Sequence, residues 1–399
     1  MKIDCSNLSA LDVGRLLDIV ALVFSGSVFL LIVSFSITTD LQAHAGIATI
    51  MIAEGIPPGN FLYYLLISLL SGFSTDLQIL YYSSCVVLAL SVLLKCLITR
   101  KIVLVELFKS GIDGQQGCQK RNMIFLLVAL LCMSLLAHNY PICSIKLYLG
   151  QFPPNLWHNS TTIFLMPFAL MLFYKSYVYL RDGELKILSQ VLILSLANIL
   201  IKPSYCFVFV VIFPIFAAFR FGISNKSLAA ISIAILVAAL IGLQYFYIYK
   251  YATIFDLSAS TGRSDIKIAF LRVWRHFSDN MVHSLLSSLV FPLVSLAFYF
   301  RKLISSLFYR YAVASFSMGL LIFMFVAESG GREFHGNFVW QVIICNYLLF
   351  MATLTQVAEP ILVSNTFSTR AKLVVLSLAG HCGFGLAYLA KIMILRNYY

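Results

Sequence analysis

Charged side chains are scarce in this sequence: Asp, Glu, Lys and Arg together make up 11% of its 399 residues. An average soluble protein has roughly 25%. No polar segment is long enough to form a separate soluble domain, and no basic tract interleaved with aromatic residues indicates nucleic acid binding. We therefore expect residues 1–399 to form a single domain with no nucleic acid partner.

Patterns that bind metals are also missing. None of the nine cysteines belongs to a CxxC pair, and none has a histidine partner at metal-ligand spacing. Most of them lie inside apolar runs, where cysteine behaves as a small hydrophobic residue. We therefore expect no metal site and assign no cofactor. No internal repeat or low-complexity segment is visible either.

Apolar residues, in contrast, are abundant: they make up 61% of the chain, and the mean hydropathy is +0.93. Runs of about 20 apolar residues recur, as in helices that cross a bilayer. The pattern predicts an all-α integral membrane protein with about eleven transmembrane helices, plus interfacial helices on the outer face. The first run is too long for the h-region of a signal peptide and has no A-x-A end, so we expect a retained signal anchor. The predicted spans are 16–37, 77–97, 122–139, 161–180, 187–201, 205–219, 227–248, 281–300, 311–327, 338–356 and 373–392.

The apolar stretch 61–73 is too short to be a further span. About thirteen residues, at 1.5 Å each, cannot cross a hydrocarbon core of about 30 Å, so we expect an interfacial or re-entrant helix. The basic residues agree with this topology: if the N-terminus is inside, the clusters at 95–121 and 301–310 face the cytoplasm. The outer face then carries segments 38–60, 140–160, 202–204, 249–280 and 328–337.

The first outer segment contains two acids and a histidine. Asp40 and His44 are four residues apart, so on a helix they share a face. A carboxylate that faces a cavity can act as a base or orient an acceptor hydroxyl. Alternatively, Asp40 simply caps an interfacial helix. Glu54 is a weaker candidate of the same kind, and Pro57 and Pro58 are expected to end the helix.

The segment 151–162 places polar residues at the outer end of the fourth span. Trp157, like Trp274 and Trp340, is expected to face the membrane interface. His158, Asn159 and several hydroxyl groups follow it. Asn159 or Ser160 can cap the next helix, but capping needs fewer polar groups than are present. Because polar groups at membrane depth usually face protein or a wet cavity, the segment favours a polar pocket.

Two outer segments offer cations for phosphate oxygens. Lys202 either snorkels towards the interface or faces a cavity from a broken hairpin. In segment 328–340, Arg332 follows two glycines whose N–H groups are accessible, and it precedes His335 and Asn337. The alternative for this segment is an ordinary polar loop.

The segment 249–280 is the longest outer loop. Arg263, Lys267, Arg272 and Arg275 alternate there with apolar residues, which predicts an amphipathic helix lying at the interface. Such a helix either binds anionic groups or covers the cavity.

An acid in the first outer loop, an interfacial helix after it, and many helices with function on the outer face resemble the GT-C glycosyltransferases, which use polyprenyl-phosphate-linked donors. The blocks PPNLWHNSTTIFLMPFALM, IKPSY and ESGGREFHGNFVW look like those of multi-span proteins of bacterial surface-polysaccharide loci, including O-antigen and capsule polymerases. The resemblance implies a multi-pass protein of the bacterial cytoplasmic (inner) membrane. Its expected partners are the lipid bilayer, a polyprenyl-phosphate-linked saccharide and other polysaccharide-assembly proteins.

On this expectation, the protein transfers or polymerises sugars from a polyprenyl-diphosphate carrier on the outer face. Asp40 receives the acceptor proton, and His44 and His158 are further catalytic candidates. The alternative is a transporter or flippase for a lipid-linked or anionic solute, and a non-catalytic scaffold is a third. Polar residues gathered at one face, without a repeat, favour the enzyme. The candidates for substrate binding are Glu54, Asn159, Lys202, Arg272, Arg275, Arg332, His335 and Asn337, whose cations stabilise the departing diphosphate.

Overall fold

The computed structural model describes residues 10–109, 117–133, 150–251, 265–363 and 368–396, and most of them are helical. In the first half of the chain the α-helices are α1 (Ala10–Ser34), α2 (Asp40–Glu54), α3 (Leu62–Leu70), α4 (Leu77–Lys109), α5 (Gly117–Met133), α6 (Ser160–Asp182) and α7 (Lys186–Ile201). In the second half they are α8 (Ser204–Phe221), α9 (Asn225–Phe246), α10 (Arg272–Phe277), α11 (Met281–Ser288), α12 (Val290–Ser305), α13 (Leu307–Phe325), α14 (Trp340–Val363) and α15 (Thr369–Leu395). The other elements are a π-helix (Tyr247–Tyr251), strands β1 (Ile266–Ile268) and β2 (Val326–Glu328), and a 3₁₀ turn (Gly330–Arg332).

Eight of these helices are long and apolar enough to cross a membrane, and a ninth span results if the bent pair α11–α12 counts as one crossing. They agree with the predicted all-α, multi-pass membrane protein. Each of the eleven predicted spans contains a helix, but the apolar part of α5, Asn122–Cys132, and all of α7 are shorter than a full crossing. The predicted span 122–139 also extends beyond the described residues. By length and composition, eight or nine spans are therefore possible in the described part of the chain.

Helix α14 is the centre of the bundle. In the most apolar 18-residue stretch of α14, 94% is buried inside the protein, compared with 28% in the corresponding stretch of α1. It packs against α4, α5, α6, α8, α12 and α13. Because neighbours surround it, α14 carries the core, whereas α1 and the other peripheral spans leave one side for lipid.

The bend between α11 and α12 amounts to 64°, and side chains from other helices satisfy the backbone groups that it frees. At the bend, the amide of Asn346 on α14 donates to the carbonyl of Ser288, at 3.3 Å, and it also donates to the carbonyl of Phe152 in the segment before α6, at 2.5 Å. The N–H of Phe291 donates to Nε2 of His381, at 3.3 Å. A broken helix is tolerated at membrane depth when neighbouring protein provides such partners.

The segment 150–159 is buried along its whole length and, after Gly150, has no regular helix or strand. Trp274 Nε1 donates to the Gly150 carbonyl, at 3.1 Å, and Lys95 on α4 donates to Asn155 Oδ1. Part of the predicted outer loop 140–160 thus runs through the protein interior, while residues 140–149 lie outside the described chain. Lys95 is likewise buried in the bundle and does not belong to an exposed cytoplasmic cluster. Lys95 can be buried because the amide oxygen of Asn155 gives its ammonium a hydrogen-bond partner inside the protein.

Thr39, and not Asp40, caps helix α2. The Thr39 hydroxyl accepts from the N–H of Leu41, and the Gln42 side chain accepts from the N–H of Thr39, which completes a capping box. At the other end, Gly55 adopts the left-handed conformation and ends the helix before the prolines are reached. The next helix, α3, has nine residues, so the prediction that this stretch is too short to cross the membrane is confirmed.

The predicted amphipathic helix over 263–275 is wrong. Strand β1 occupies 266–268 and pairs antiparallel with β2, so that Ile266 lies opposite Glu328 and Ile268 opposite Val326. An Ile-Lys-Ile triplet has the alternation and β-branching of a strand, and a free strand edge was available to pair with it. The helix in this region, α10, has six residues, and Arg263 lies outside the described chain.

The three tryptophans face protein. Trp157, Trp274 and Trp340 are 5%, 4% and 2% exposed. Trp157, for example, packs against the rings of Phe24 and Phe29. The expectation that these rings face the membrane interface is therefore corrected: an indole ring suits an interior site equally well when the core supplies aromatic neighbours.

We expect Gly150→Ala to destabilise the protein. A Cβ atom at this position would lie 2.5 Å from the backbone carbonyl oxygen of Phe277, which cannot rotate away. Such overpacking typically costs about 1–3 kcal/mol, so the unfolding temperature in detergent should fall. Gly46→Ala is the matched control, because a Cβ on Gly46 meets no atom within 4 Å. If the two variants unfold at the same temperature, the close approach of segment 150–159 to Phe277 is contradicted.

Candidate functional site

A cavity of about 720 Å³ lies at one end of the helix bundle. Its position follows from its lining, because the residues come from helix ends: Asp40 begins α2, Asn159 precedes α6, Lys202 lies between α7 and α8, and Trp340 begins α14. Tyr249, in the π-helix that extends α9, forms part of the opposite wall. The site is thus built at an end of the bundle and not halfway along its helices.

Four helices present their N-terminal residues to this cavity: α2, α6, α8 and α14. The first N–H groups of a helix have no partner within the helix, and the helix dipole places partial positive charge there. Helix N-termini therefore favour negative ligands. Their convergence makes the cavity suited to an anion beyond what its side chains supply.

Asp40 contributes a carboxylate to the cavity lining. The Asn159 amide donates to its Oδ2, and its own N–H donates to the carbonyl of His158, at 3.2 Å. Burial acts to raise the pKa of Asp40, but His158, His44, the Asn159 hydrogen bond and Lys202 more than offset it, so that the pKa lies below its ordinary value. The carboxylate is therefore ionised at neutral pH.

Asn159 connects this carboxylate to a cation. Its Oδ1 accepts from the N–H of Thr162, at 3.0 Å, which makes it the N-cap of α6. The same oxygen accepts from the Lys202 ammonium, at 2.9 Å, while the Nδ2 group serves Asp40. One side chain thus caps a helix and separates two opposite charges.

The ammonium of Lys202 has neutral partners. Besides Asn159, it contacts the hydroxyls of Thr162, at 3.0 Å, and Thr161, at 3.3 Å, and it lies 4.9 Å from the ring centre of Trp340. No ion pair within the described ranges includes Lys202. Burial lowers the pKa of Lys202 to about 7, although Asp40 and Glu328 act to raise it. The side chain faces the cavity, as one of its two sequence-based interpretations predicts.

His44 contacts Tyr64, which was not among the site residues predicted from the sequence. Its Nδ1 lies 2.8 Å from the Tyr64 hydroxyl, and its Nε2 has no hydrogen-bond partner among the described residues. Burial lowers the pKa of His44 to about 4, so the ring is neutral at pH 7. A neutral imidazole at a cavity wall can donate or accept a hydrogen bond, depending on its tautomer.

Arg332 is already paired. Glu328 lies 3.2 Å from its guanidinium, and the side chains of Tyr249 and Asn337 also donate to this carboxylate. Glu328 is 3% exposed, and Arg332 stacks over the ring of Tyr249, at 5.6 Å. The cation expected to bind phosphate oxygens is therefore held in a network of side chains. The i,i+4 spacing of Glu328 and Arg332 was the signal in the sequence that could have revealed the pair.

Four predicted site residues lie outside the cavity lining. Glu54 is exposed at the end of α2, and Arg275 is exposed on α10. Arg272 pairs with Glu333 on the surface. His158 is buried, and the centre of its ring lies 5.3 Å from that of Trp340. The cavity brings together the remaining predicted residues, which are Asp40, His44, Asn159, Lys202, Arg332, His335 and Asn337.

Apolar side chains also line the cavity. Ile47 on α2, Ile241 on α9 and Ile248 in the π-helix line it, together with Phe207 and Phe338. A cavity lined by both charged and apolar side chains suits an amphiphilic anion better than a small inorganic ion. Within the described ranges, no group of three His, Cys, Asp or Glu side chains is arranged to hold a metal ion.

We expect the protein to lose stability as the pH falls from about 6.5 to about 4, in part because of His44. Its pKa in the folded state, about 4, lies below the ordinary value of 6.5, so the unfolded chain binds more protons in this window. His44→Gln should therefore make the unfolding temperature less dependent on pH, whereas the exposed His335→Gln should not. Thermal unfolding in detergent across the window measures both. Identical pH profiles for wild type and His44→Gln would contradict a His44 that stays neutral in the folded protein.

No model of a known protein family matches the chain, and no curated protein matches it. A functional proposal therefore depends on the residues of the cavity and on their geometry.

Proposed function

We propose that this chain is a membrane enzyme of bacterial surface-polysaccharide synthesis, such as O-antigen or capsule assembly, that transfers or polymerises sugars carried on polyprenyl diphosphate. The observation that carries the proposal is the composition of the cavity. The cavity combines an ionised carboxylate, Asp40, a cation that pairs with no carboxylate among the described residues, Lys202, and several apolar side chains. A lipid-linked diphosphate sugar presents the complementary groups: an apolar chain, an anion and sugar hydroxyls.

The proposed topology has eleven crossings in the cytoplasmic membrane, with the N-terminus inside and the cavity on the outer face. Basic residues support it. Arg181, Arg220 and Lys302 lie in the last turns of α6, α8 and α12. Since α6 and α8 begin at the cavity, Arg181 and Arg220 lie at the opposite end of the bundle. Cytoplasmic ends of membrane helices carry such an excess of Lys and Arg.

In the proposed reaction, a hydroxyl oxygen of the acceptor attacks the anomeric carbon of the lipid-linked sugar. The bond from that carbon to the diphosphate oxygen breaks, and its electron pair leaves with the diphosphate. Asp40 receives the proton of the acceptor hydroxyl, because it is ionised and faces the cavity. Lys202 and the N–H groups at the starts of α6 and α8 stabilise the charge that develops on the departing diphosphate.

Arg332 has a conditional role in this scheme. Its guanidinium is held by Glu328, so a diphosphate gains its contact only by competing with that carboxylate. Tyr249 and Asn337 can keep Glu328 in place when the arginine turns away, because both donate to it. Once turned away, a planar guanidinium can contact a phosphate through two N–H groups, which an ammonium cannot do in the same geometry.

The position of the cavity favours transfer over transport. Transporters typically hold their substrate near the bilayer midplane, between helices broken in matching halves. Here the polar groups lie at the beginnings of α2, α6, α8 and α14, at one end of the bundle. An enzyme that receives a lipid-linked donor and a water-soluble or lipid-linked acceptor needs a site at an end of the bundle, close to the membrane surface.

We expect Asp40→Asn to abolish sugar transfer and Arg332→Lys to reduce it. The first change removes the proton acceptor, and the second removes one charge-assisted contact, worth about 1.5–3 kcal/mol or roughly ten- to a hundredfold in turnover. The assay measures saccharide transfer from a polyprenyl-diphosphate donor by the purified full-length protein in lipid nanodiscs. Arg301→Lys, on an exposed residue of α12, is the matched control.

Wild-type transfer by the Asp40→Asn protein would remove the proposed base. Wild-type transfer by Arg332→Lys would remove Arg332 from the diphosphate contacts, while a loss in Arg301→Lys would mean that the assay reports folding instead of the site.

A further inference from the structure

The two cations that line the cavity have different surroundings. Arg332 is neutralised by Glu328, at 3.2 Å. Lys202 contacts one amide oxygen and two hydroxyls, and its nearest side-chain partner, Asn159, separates it from Asp40. A half-buried lysine with neutral partners gains little from its charge until an anion arrives.

We infer that the cavity takes up one proton when it binds an anion, and that the Lys202 amine is the group that receives it. The inference rests on the proposed function, because it concerns the same anion site and describes how that site is regulated. It makes pH a determinant of substrate affinity, since the amine must be protonated before it can pair with the ligand.

The direction of the effect follows from linkage. The pKa of Lys202 in the unoccupied cavity is about 7, and contact with an anion raises it. Below pH 7 the ammonium is already formed, so binding takes up little or no proton. Above pH 7 most of the amine is neutral, so each binding event adds a proton, and the affinity should fall about tenfold per pH unit until the pKa of the occupied site is reached.

The other groups that face Lys202 do not produce this dependence. From α2, Asp40 has a lowered pKa and stays ionised, and burial lowers the pKa of His44 to about 4. From the segment before α6, burial also lowers the pKa of His158 to about 4. Glu328, at the end of β2, and Arg332, in the 3₁₀ turn that follows, neutralise each other. Two control variants test whether other groups of the lining take up the proton. His335→Gln removes the exposed imidazole, and Glu328→Gln removes the second carboxylate.

The test uses a ligand that carries two negative charges and does not titrate in the window. Ethane-1,2-disulfonate meets both needs, whereas phosphates change their own protonation near neutral pH. Its binding to the full-length protein in nanodiscs is measured by calorimetry at about pH 6 and about pH 8, in buffers of different ionisation enthalpy. The difference between buffers counts the protons taken up on binding.

We expect uptake of about one proton at pH 8, almost none at pH 6, and about tenfold weaker binding at pH 8. Lys202→Arg keeps a charge that does not titrate, so it should bind without proton uptake and with equal affinity at both pH values. His335→Gln and Glu328→Gln should retain the uptake.

Three results would overturn the inference: binding without proton uptake at pH 8, uptake that persists in Lys202→Arg, or no binding of the disulfonate at either pH. The proposed function fails separately. Proton uptake at Lys202 without any sugar transfer from a polyprenyl-diphosphate donor would leave an anion site and refute the enzyme.

Discussion

The side chain of Asn159 joins a carboxylate to an ammonium inside an apolar bundle, and the chemistry of the cavity depends on this link. Its amide donates to Asp40 and its oxygen accepts from Lys202, while the same oxygen caps α6. Opposite charges in direct contact, as in the Glu328–Arg332 pair, largely cancel. With Asn159 between them, Asp40 and Lys202 are both stabilised by a neutral group, and each keeps one side turned to the cavity. Asp40 and Lys202 do not pair directly, so both remain available to a ligand in the cavity.

Several features of this arrangement could be predicted because they depend on short stretches of chain. The i,i+4 spacing of Asp40 and His44 places both on one face of α2, and both line the cavity. Asn159 has the residue type and position of an N-cap, which it is. The break between apolar runs at Lys202 indicated a turn between two helices. Long apolar runs likewise indicated the helices that could cross a membrane. In each case periodicity or capping chemistry acts over a few residues and is visible in the sequence.

The remaining features depend on contacts between distant parts of the chain. Strand β1 forms because β2, sixty residues later, offers an edge with which it pairs. The Tyr64 hydroxyl meets His44 because the turn after α2 folds α3 back against it. Burial of Trp274 requires the segment at Gly150, whose carbonyl accepts from its indole. No local pattern distinguishes these outcomes from an interfacial helix or a tryptophan at the membrane interface, since the same residue types serve both environments.

The central claim is that the cavity holds the anionic headgroup of a lipid at Lys202. Cryo-electron microscopy of the full-length protein in nanodiscs, with a polyprenyl diphosphate supplied, tests it most directly. The account predicts phosphate density within hydrogen-bond distance of the Lys202 amine and close to the starts of α6 and α8, with the lipid chain running along Ile241 and Ile248. Headgroup density at the opposite, basic end of the bundle, near Arg181 and Arg220, with an empty cavity would contradict it.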